Sequence, residues 1–212
     1  MRQSAAEARF NMVESQIRPF SVTDEKVLKA FRQTPREQYV PVAMAAQAYQ
    51  GEELHVGNGR FMIEAPAYAR LIQGAELAAD AHVLDIGCLQ GYSSAILAQV
   101  AGSVVAVDSE EWIAQTKKIK HDKITFVAGK LAEGAKAKAP YDAIFINGSV
   151  QNIPQGLIDQ LAEGGVIATF RRDAGGQAVL YRKLMGTLQT TILFDAFVPV
   201  LKEFTKEESF VF

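Results

Sequence analysis

Two glycines and two aspartates have the types and spacing of a ligand-binding turn. Gly87 and Gly91 follow the apolar run 82–86, and Asp108 ends the next apolar run, 21 residues after Gly87. Glycine lets the backbone turn sharply and lets a ligand approach closely, and a helix that follows offers free N–H groups. An acidic residue at the end of the second strand can accept both hydroxyls of a ribose. Asp85, just before the turn, can orient it or reach an amine of the same ligand.

The glycine spacing discriminates between cofactor classes. A dinucleotide pattern G-x-G-x-x-G would need glycines where the chain has Leu89 and Tyr92. The pattern D-x-G-x-x-x-G, begun by Asp85, is closer to an S-adenosylmethionine site. Two alternatives stay open: a turn that binds nothing, and a nicotinamide-dependent oxidoreductase, for which no hydride-transfer residues suggest themselves.

Short apolar runs alternate with helical segments from residue 82 onward. The predicted strands are 82–86, 104–107, 124–127, 141–146 and 165–170, with further candidates in 178–184 and 190–201. The predicted helices are 92–100, 110–119, a short piece near 131–137, and 154–162. Apolar strands separated by helices indicate a parallel sheet covered on both faces, with ligands at the carboxyl ends of its strands. We predict an α/β fold with a Rossmann-like, doubly wound, mostly parallel sheet.

The first 80 residues predict a helical N-terminal extension. Thr23 or Asp24 could cap a helix over 25–33, Pro41 could open one over 41–49, and Pro66 could open one through 67–77. A glycine-rich loop separates the last two helices. We predict residues 1–80 as an extension that carries a substrate-side loop and residues 81–212 as the core, together one compact domain.

Composition and charge exclude several classes of function. The 212 residues are 49% hydrophobic, enough for one sizeable core, and the net charge of −2 argues against broad binding to nucleic acid or to an anionic membrane. No apolar run approaches a membrane span, and the N-terminus lacks an apolar signal core, so we expect a cytoplasmic protein. Cys88 is the single cysteine, and no base adjoins it in sequence, which favours a buried side chain over a nucleophile. The three histidines share no metal-ligand spacing. A solvated basic helix end is expected at Lys117, Lys118, Lys120 and Lys123.

Motifs along nearly the whole chain resemble the protein-L-isoaspartate O-methyltransferase family, within the class I S-adenosylmethionine-dependent methyltransferases. NMVESQIRPFSVTDEKVLKAFRQTPREQYVP resembles the N-terminal segment, VGNGR the substrate-side loop, and VLDIGCLQGYSSAILA the cofactor loop. VVAVDSE resembles the ribose-binding strand end, APYDAIFINGSVQNIPQGLIDQLAEGGVIA the fourth and fifth strands, and FVPVL the C-terminal strand.

The resemblance implies methyl transfer from S-adenosylmethionine to a carboxylate of an isoaspartyl residue in a damaged protein or peptide. It implies that Asp108 holds the ribose hydroxyls and that Asn147 lies near the reacting centre. The full implied cofactor set is Asp85, Gly87, Cys88, Leu89, Gly91, Tyr92, Asp108, Ser109, Gly129 and Asn147. The implied substrate-binding residues are Gly59, Arg60 and Glu64. No catalytic residue is assigned, because a sulfonium methyl is already electrophilic and a carboxylate is ionised at neutral pH.

Two departures from the family concern the cofactor. Leu89 replaces the central glycine of the loop, where a side chain could crowd the cofactor if the position needs positive φ. Ala128, Gly129 and Lys130 replace the family's G-D-G, whose aspartate meets the adenine amine.

A third departure concerns the substrate. The segment GRFMIEAP lacks the serine of the family's T-I-S-x-P, and Glu64 adds a negative charge where a substrate carboxylate should lie. Arg60 could pair with Glu64 or bind the substrate carboxylate itself. The departures keep open a different methyl acceptor, or a non-catalytic relative that acts as a binding or assembly protein.

Overall fold

The computed structural model describes residues 4–116, 121–172 and 175–206. Helix α1, Ala5–Met12, begins after Ser4, which forms a capping box with Glu7, and it continues into a π-helical turn. Helix α2, Glu25–Gln33, is capped by Asp24, whose side chain accepts a hydrogen bond from the Lys26 N–H. The predicted α2 is thus confirmed, and Asp24 is the cap among the two candidates.

The helix predicted over 41–49 is confirmed only in part, because it is shorter and of another type. Residues Val42–Gln47 form a 3₁₀ helix that follows Pro41, and Ala48 ends it. Alanines favour a helix by propensity, but a segment this short gains few hydrogen bonds after the costly first turn. The helix predicted after Pro66 forms as α3, Ala65–Ala75, and ends at Glu76 in the left-handed region.

The glycine-rich loop before α3 contains a small hairpin that the sequence reading missed. Strands β1, Leu54–Gly57, and β2, Arg60–Met62, pair antiparallel around a turn at Asn58 and Gly59. This hairpin carries Arg60 at the start of β2.

A seven-stranded sheet forms the centre of the molecule. Its strands are β3 His82–Ile86, β4 Ser103–Asp108, β5 Ile124–Ala128, β6 Tyr141–Val150, β7 Leu161–Arg172, β8 Gly176–Leu184 and β9 Thr187–Asp195. The order is β5-β4-β3-β6-β7-β8-β9, with parallel pairing from β5 to β7 and antiparallel pairing for β8 and β9. From β3 the chain adds β4 and β5 on one side and then β6 on the other, so right-handed crossovers place helices on opposite faces of the sheet. The predicted fold class is confirmed.

The helix after the glycine turn has its predicted bounds, and the pieces after β5 and β6 are shorter than predicted, while residues 117–119 of the helix predicted after β4 lie outside the described residues. Helix α4 spans Tyr92–Val100 as predicted, and α5 spans Glu110–Gln115. The piece expected near 131–137 forms two 3₁₀ turns separated by Gly134, which has φ of 61°. Helix α6, Gln155–Ile158, ends early because β7 already begins at Leu161. Lys117, Lys118 and Lys120 lie outside the described residues.

One hydrophobic core joins the N-terminal helices to the sheet. Phe31 of α2 and Leu71 of α3 belong to the same buried cluster as Leu84, Phe145 and Ile167 of the central strands. In the described ranges, no helix is long and apolar enough to cross a membrane.

Candidate functional site

The turn between β3 and α4 uses three residues in left-handed backbone conformations. Gly87 has φ of 81°, Leu89 of 53° and Gly91 of 90°. The φ of Leu89 shows that this position does require the conformation glycine adopts freely, and a side chain there costs about 1–2 kcal/mol. The Leu89 N–H donates to Asp108 Oδ2 at 2.8 Å, which fixes the turn against the end of β4.

Asp108 is fully buried and accepts four hydrogen bonds. Arg60 Nη1 and the Ser109 N–H donate to Oδ1, both at 2.8 Å. Arg60 Nη2 donates to Oδ2 at 3.0 Å, beside the Leu89 N–H. These donors match the lone pairs of the two carboxylate oxygens.

Arg60 therefore has a partner that the sequence did not indicate. The two alternatives were Glu64 and a substrate carboxylate, whereas the structure pairs Arg60 with Asp108 and leaves its side chain 11% exposed. The guanidinium also covers the glycine turn, since a Cβ added at Gly87 would lie 3.1 Å from Arg60 Nη2.

Asp85 is the centre of a second buried network, on the other side of the turn. Ser93 and Ser94 of α4 donate to Asp85 Oδ2 at 2.7 and 2.5 Å, and Asn147 Nδ2 donates to Oδ1 at 2.6 Å. Asn147 Nδ2 also lies 3.0 Å from the Ile86 carbonyl. Burial raises the pKa of Asp85 to about 6, against the lowering effect of these hydrogen bonds. Asp85 thus links the start of α4 to Asn147, and its roles toward the turn and toward a ligand amine stay predictions.

A small cavity lies between the two networks and the hairpin. Its volume is about 20 Å³, and Leu89, Tyr92, Tyr68 and Asn147 are among its lining residues. Within the described part of the chain, the buried hydroxyls of Tyr68 and Tyr92 have no hydrogen-bond partner of good geometry. One water needs about 10–15 Å³ and a small-molecule pocket about 300–1,000 Å³. In this conformation the space accepts a water but not a cofactor.

Cys88, a residue of the same turn, is buried. Burial and the nearby carboxylates raise the pKa of its thiol well above its ordinary value, so the thiolate needed of a nucleophile is disfavoured.

The far end of the site follows β4 and β5. Ser109 precedes α5, and Trp112 of that helix is buried. The exposed Gly129 follows β5 and donates its N–H to the Asp108 carbonyl at 2.9 Å. Lys130 and Glu133, in the segment that follows β5, pair with each other at 2.9 Å on the surface.

The substrate-side residues occupy the hairpin and the start of α3. Gly59 lies in the hairpin turn with φ of 67°. Glu64 is half-buried before α3; burial raises the pKa of its carboxyl, Glu53 adds to the rise, and Arg36 opposes it. Arg36 was missed by the sequence reading, although it lies in PREQYVP. It is fully buried, donates to the Ala48 and Ile63 carbonyls at 2.9 and 2.8 Å, and lies over the Tyr92 ring.

This layout matches a known family. The family model described as Protein-L-isoaspartate(D-aspartate) O-methyltransferase matches residues 7–203. The chain belongs to this family. The predicted family resemblance is thus confirmed. The family and the curated relatives are S-adenosylmethionine-dependent protein-L-isoaspartate O-methyltransferases, as the predicted enzyme class and cofactor require.

Similar proteins extend over most of the chain. The protein-L-isoaspartate O-methyltransferase of Methanoculleus marisnigri is 34% identical over 203 residues, which is 92% of each chain. That of Aliivibrio salmonicida is 34% identical over 164 residues, 74% of this chain and 78% of its own. A structure of this type from Plasmodium falciparum, in complex with S-adenosyl-L-homocysteine, has a TM-score of 0.77 at 18% identity. It covers 92% of this chain and 98% of its own, and the likeness concerns the fold.

The residues at the family's cofactor positions have suitable types, but the Arg60 side chain covers Asp108 and Gly87. We call this arrangement closed. Gly87, Gly91 and Asp108 lie at the carboxyl edge of β3 and β4, where an open α/β sheet binds ligands. The turn and the buried carboxylate fit a ribose-bearing cofactor in kind and in place. The closure comes from Arg60, whose guanidinium lies on both Asp108 and Gly87.

Proposed function

We propose that this chain transfers the methyl group of S-adenosylmethionine to a carboxylate of an isoaspartyl residue in a protein or peptide. The observation that carries the proposal is the convergence of the Gly87–Gly91 turn and the Asp108 carboxylate at the switch point of the sheet. It occurs in a chain that matches the family over residues 7–203.

The chain's own residues have binding and orienting roles in this proposal. The cofactor, when bound, supplies an electrophilic methyl group. Asp108 accepts the ribose hydroxyls, the turn lets the cofactor approach the backbone, and Asn147 borders the reacting centre, held there by Asp85. Rate enhancement comes from holding the acceptor oxygen in line with the methyl group at about 3 Å. No proton has to be moved, because the acceptor is an ionised carboxylate.

The remaining assignments follow from the same proposal. Cys88, Leu89, Tyr92, Ser109 and Gly129 border the cofactor, while Gly59, Arg60 and Glu64 border the substrate. Residues 1–80 form the substrate side and residues 81–212 the cofactor side. The partner is a damaged protein or peptide rather than a nucleic acid, and the site of action is the cytoplasm.

The test has two stages, both on the full chain. Calorimetric titration with S-adenosylmethionine and S-adenosylhomocysteine should show saturable binding. A methylation assay should then show transfer to an isoaspartyl peptide and none to its aspartyl twin. Binding with equal inactivity on both peptides would replace isoaspartate by another acceptor.

A second candidate function is supported by the closure of the site. Arg60 on Asp108, together with a cavity of about 20 Å³, favours a relative that keeps the fold as a binding or assembly protein. Absence of binding to either cofactor form at millimolar concentration, in the wild type and in Arg60→Gln, would exclude the first candidate and leave this one standing.

A further inference from the structure

The Asp108 carboxylate has no lone pair left for a ligand in the closed site. Arg60 supplies two of its four hydrogen bonds, and the Ser109 and Leu89 N–H groups supply the others. A carboxylate offers about four acceptor positions. The backbone donors belong to the fold, so the only donors that can leave without rebuilding the turn are those of Arg60.

The Arg60 guanidinium also fills the space above the glycine turn. Its Nη2 lies 3.1 Å from the position of a Cβ on Gly87, and that position lies 3.8 Å from the Asn147 Cβ. A ligand that reached both Asp108 and the turn would overlap this guanidinium.

The closed pairing is opposed by an unsatisfied donor. Arg60 Nε is buried and has no hydrogen-bond partner among the described residues. A buried donor without an acceptor costs free energy, while the bidentate pair with Asp108 is a strong charge-assisted interaction. The unsatisfied Nε therefore lowers the free energy needed to break the Arg60–Asp108 pair.

The tip of the hairpin that carries Arg60 is exposed and makes few packing contacts. Gly57, Asn58 and Gly59 all have positive φ, and a Cβ added at either glycine would meet nothing within 4 Å. The tip is tied to the far side of the site by Arg60 on Asp108 and by Asn58 Nδ2, which donates to Glu111 Oε1 of α5 at 2.8 Å. The second tie lies on the surface, where solvent competes for it.

We propose that Arg60 is a latch: its guanidinium and the ribose diol of the cofactor compete for Asp108, and the cofactor binds when the tip of the hairpin, residues 57–60, lifts. This rests on the proposed function, since it takes the ligand to be a nucleoside-bearing cofactor. The apparent affinity is then the intrinsic affinity multiplied by the open fraction. Arg60 thereby sets how tightly this chain holds its cofactor.

The test is a titration of the full chain with S-adenosylhomocysteine. Binding is detected by calorimetry and by the fluorescence of Trp112, the single tryptophan, which lies on α5 shortly after Asp108. Arg60→Gln removes the bidentate charge and keeps much of the side chain. If the latch is closed in nine molecules of ten, this variant binds about tenfold more tightly than the wild type. Arg182→Gln is the matched control, because it removes one positive charge from the exposed face of β8, and its affinity should equal the wild type.

Two further variants keep the test decisive should Arg60→Gln fold poorly. Arg60→Lys keeps the positive charge but lacks the two parallel N–H donors of the guanidinium. It should bind S-adenosylhomocysteine with an affinity between those of the wild type and Arg60→Gln. Asn58→Gly removes the bond to Glu111 without touching Asp108 and adopts φ of 52° without strain, and it should also bind more tightly than the wild type.

The outcomes separate the latch from the proposed function. Wild-type binding with unchanged or weaker binding by the folded Arg60 variants overturns the latch and leaves the function standing. Unchanged affinity in Asn58→Gly overturns the lifting of the hairpin. Failure of the wild type and of every Arg60 variant to bind overturns both proposals.

Discussion

The left-handed backbone at Leu89 makes an unusual prediction about two substitutions. Leu89 is 5% exposed and belongs to the core, so Leu89→Ala should lower the free energy of unfolding by about 2–5 kcal/mol through lost burial and a new cavity. Leu89→Gly loses the same contacts, but glycine adopts φ of 53° without strain. Alanine retains the penalty of about 1–2 kcal/mol.

Leu89→Gly should therefore be more stable than Leu89→Ala by about 1 kcal/mol, which reverses the usual order of the two residues. The matched control is Leu97, fully buried in α4, where glycine should be less stable than alanine by about 1 kcal/mol. The free energy of unfolding of the four variants is measured by urea denaturation. The comparison requires that its dependence on urea concentration, the m-value, is the same in all four. A glycine variant less stable than the alanine variant at both positions would refute the left-handed conformation.

The same pair of variants reports on the cofactor. Leu89 lines the small cavity, so either substitution should enlarge it and tighten the binding of S-adenosylhomocysteine. Unchanged affinity in both would show that the Leu89 side chain points away from the bound cofactor.

Three other predictions concern the charged residues. Asp108→Asn leaves Arg60 without its counter-charge and should lower the urea-unfolding free energy by about 1.4 kcal/mol, the value for a latch closed in nine molecules of ten, because the guanidinium can then leave with the hairpin tip; a loss of about 3 kcal/mol or more would mean that Arg60 cannot leave the site. The pKa of Asp85 is raised to about 6 in the folded state. Between pH 4 and 6 the folded state therefore binds more protons at this group than the unfolded state does. The contribution of Asp85 to the free energy of unfolding should fall by about 3 kcal/mol as the pH rises through that window. This loss of stability with rising pH should be absent in Asp85→Asn. If the urea-unfolding midpoint changes equally with pH in Asp85→Asn and in the wild type, another group is responsible for the change. Glu64→Ser removes a half-buried charge and should lower the KM for an isoaspartyl peptide several-fold at similar kcat, whereas a higher KM would give Glu64 a binding role.

The elements that form the cofactor turn could be predicted because their signals are local. The apolar run 82–86 and the glycines after it predict β3 and its turn, and the same logic finds Asp108 at the end of β4. The segment 92–100 is buried along almost its whole length, so its helix matches the predicted bounds.

The features that close the site could not be predicted because they depend on pairs distant in sequence. Arg60 and Asp108 are 48 residues apart, and the sequence offered Glu64, four residues away, as the nearer partner. The hairpin of β1 and β2 is short, and its glycines indicated only a loop. The φ of Leu89 could not be predicted, because leucine rarely adopts a positive φ and the Asp108 carboxylate that accepts its N–H is 19 residues away.

The central claim is that a cofactor occupies the place now held by Arg60. A crystal structure of the chain grown with S-adenosylhomocysteine tests it most directly. We predict the ribose hydroxyls on Asp108 and the Arg60 guanidinium displaced from both Asp108 and Gly87. A structure that holds the ligand elsewhere, with the Arg60–Asp108 pair intact at 2.8 Å, would contradict the claim.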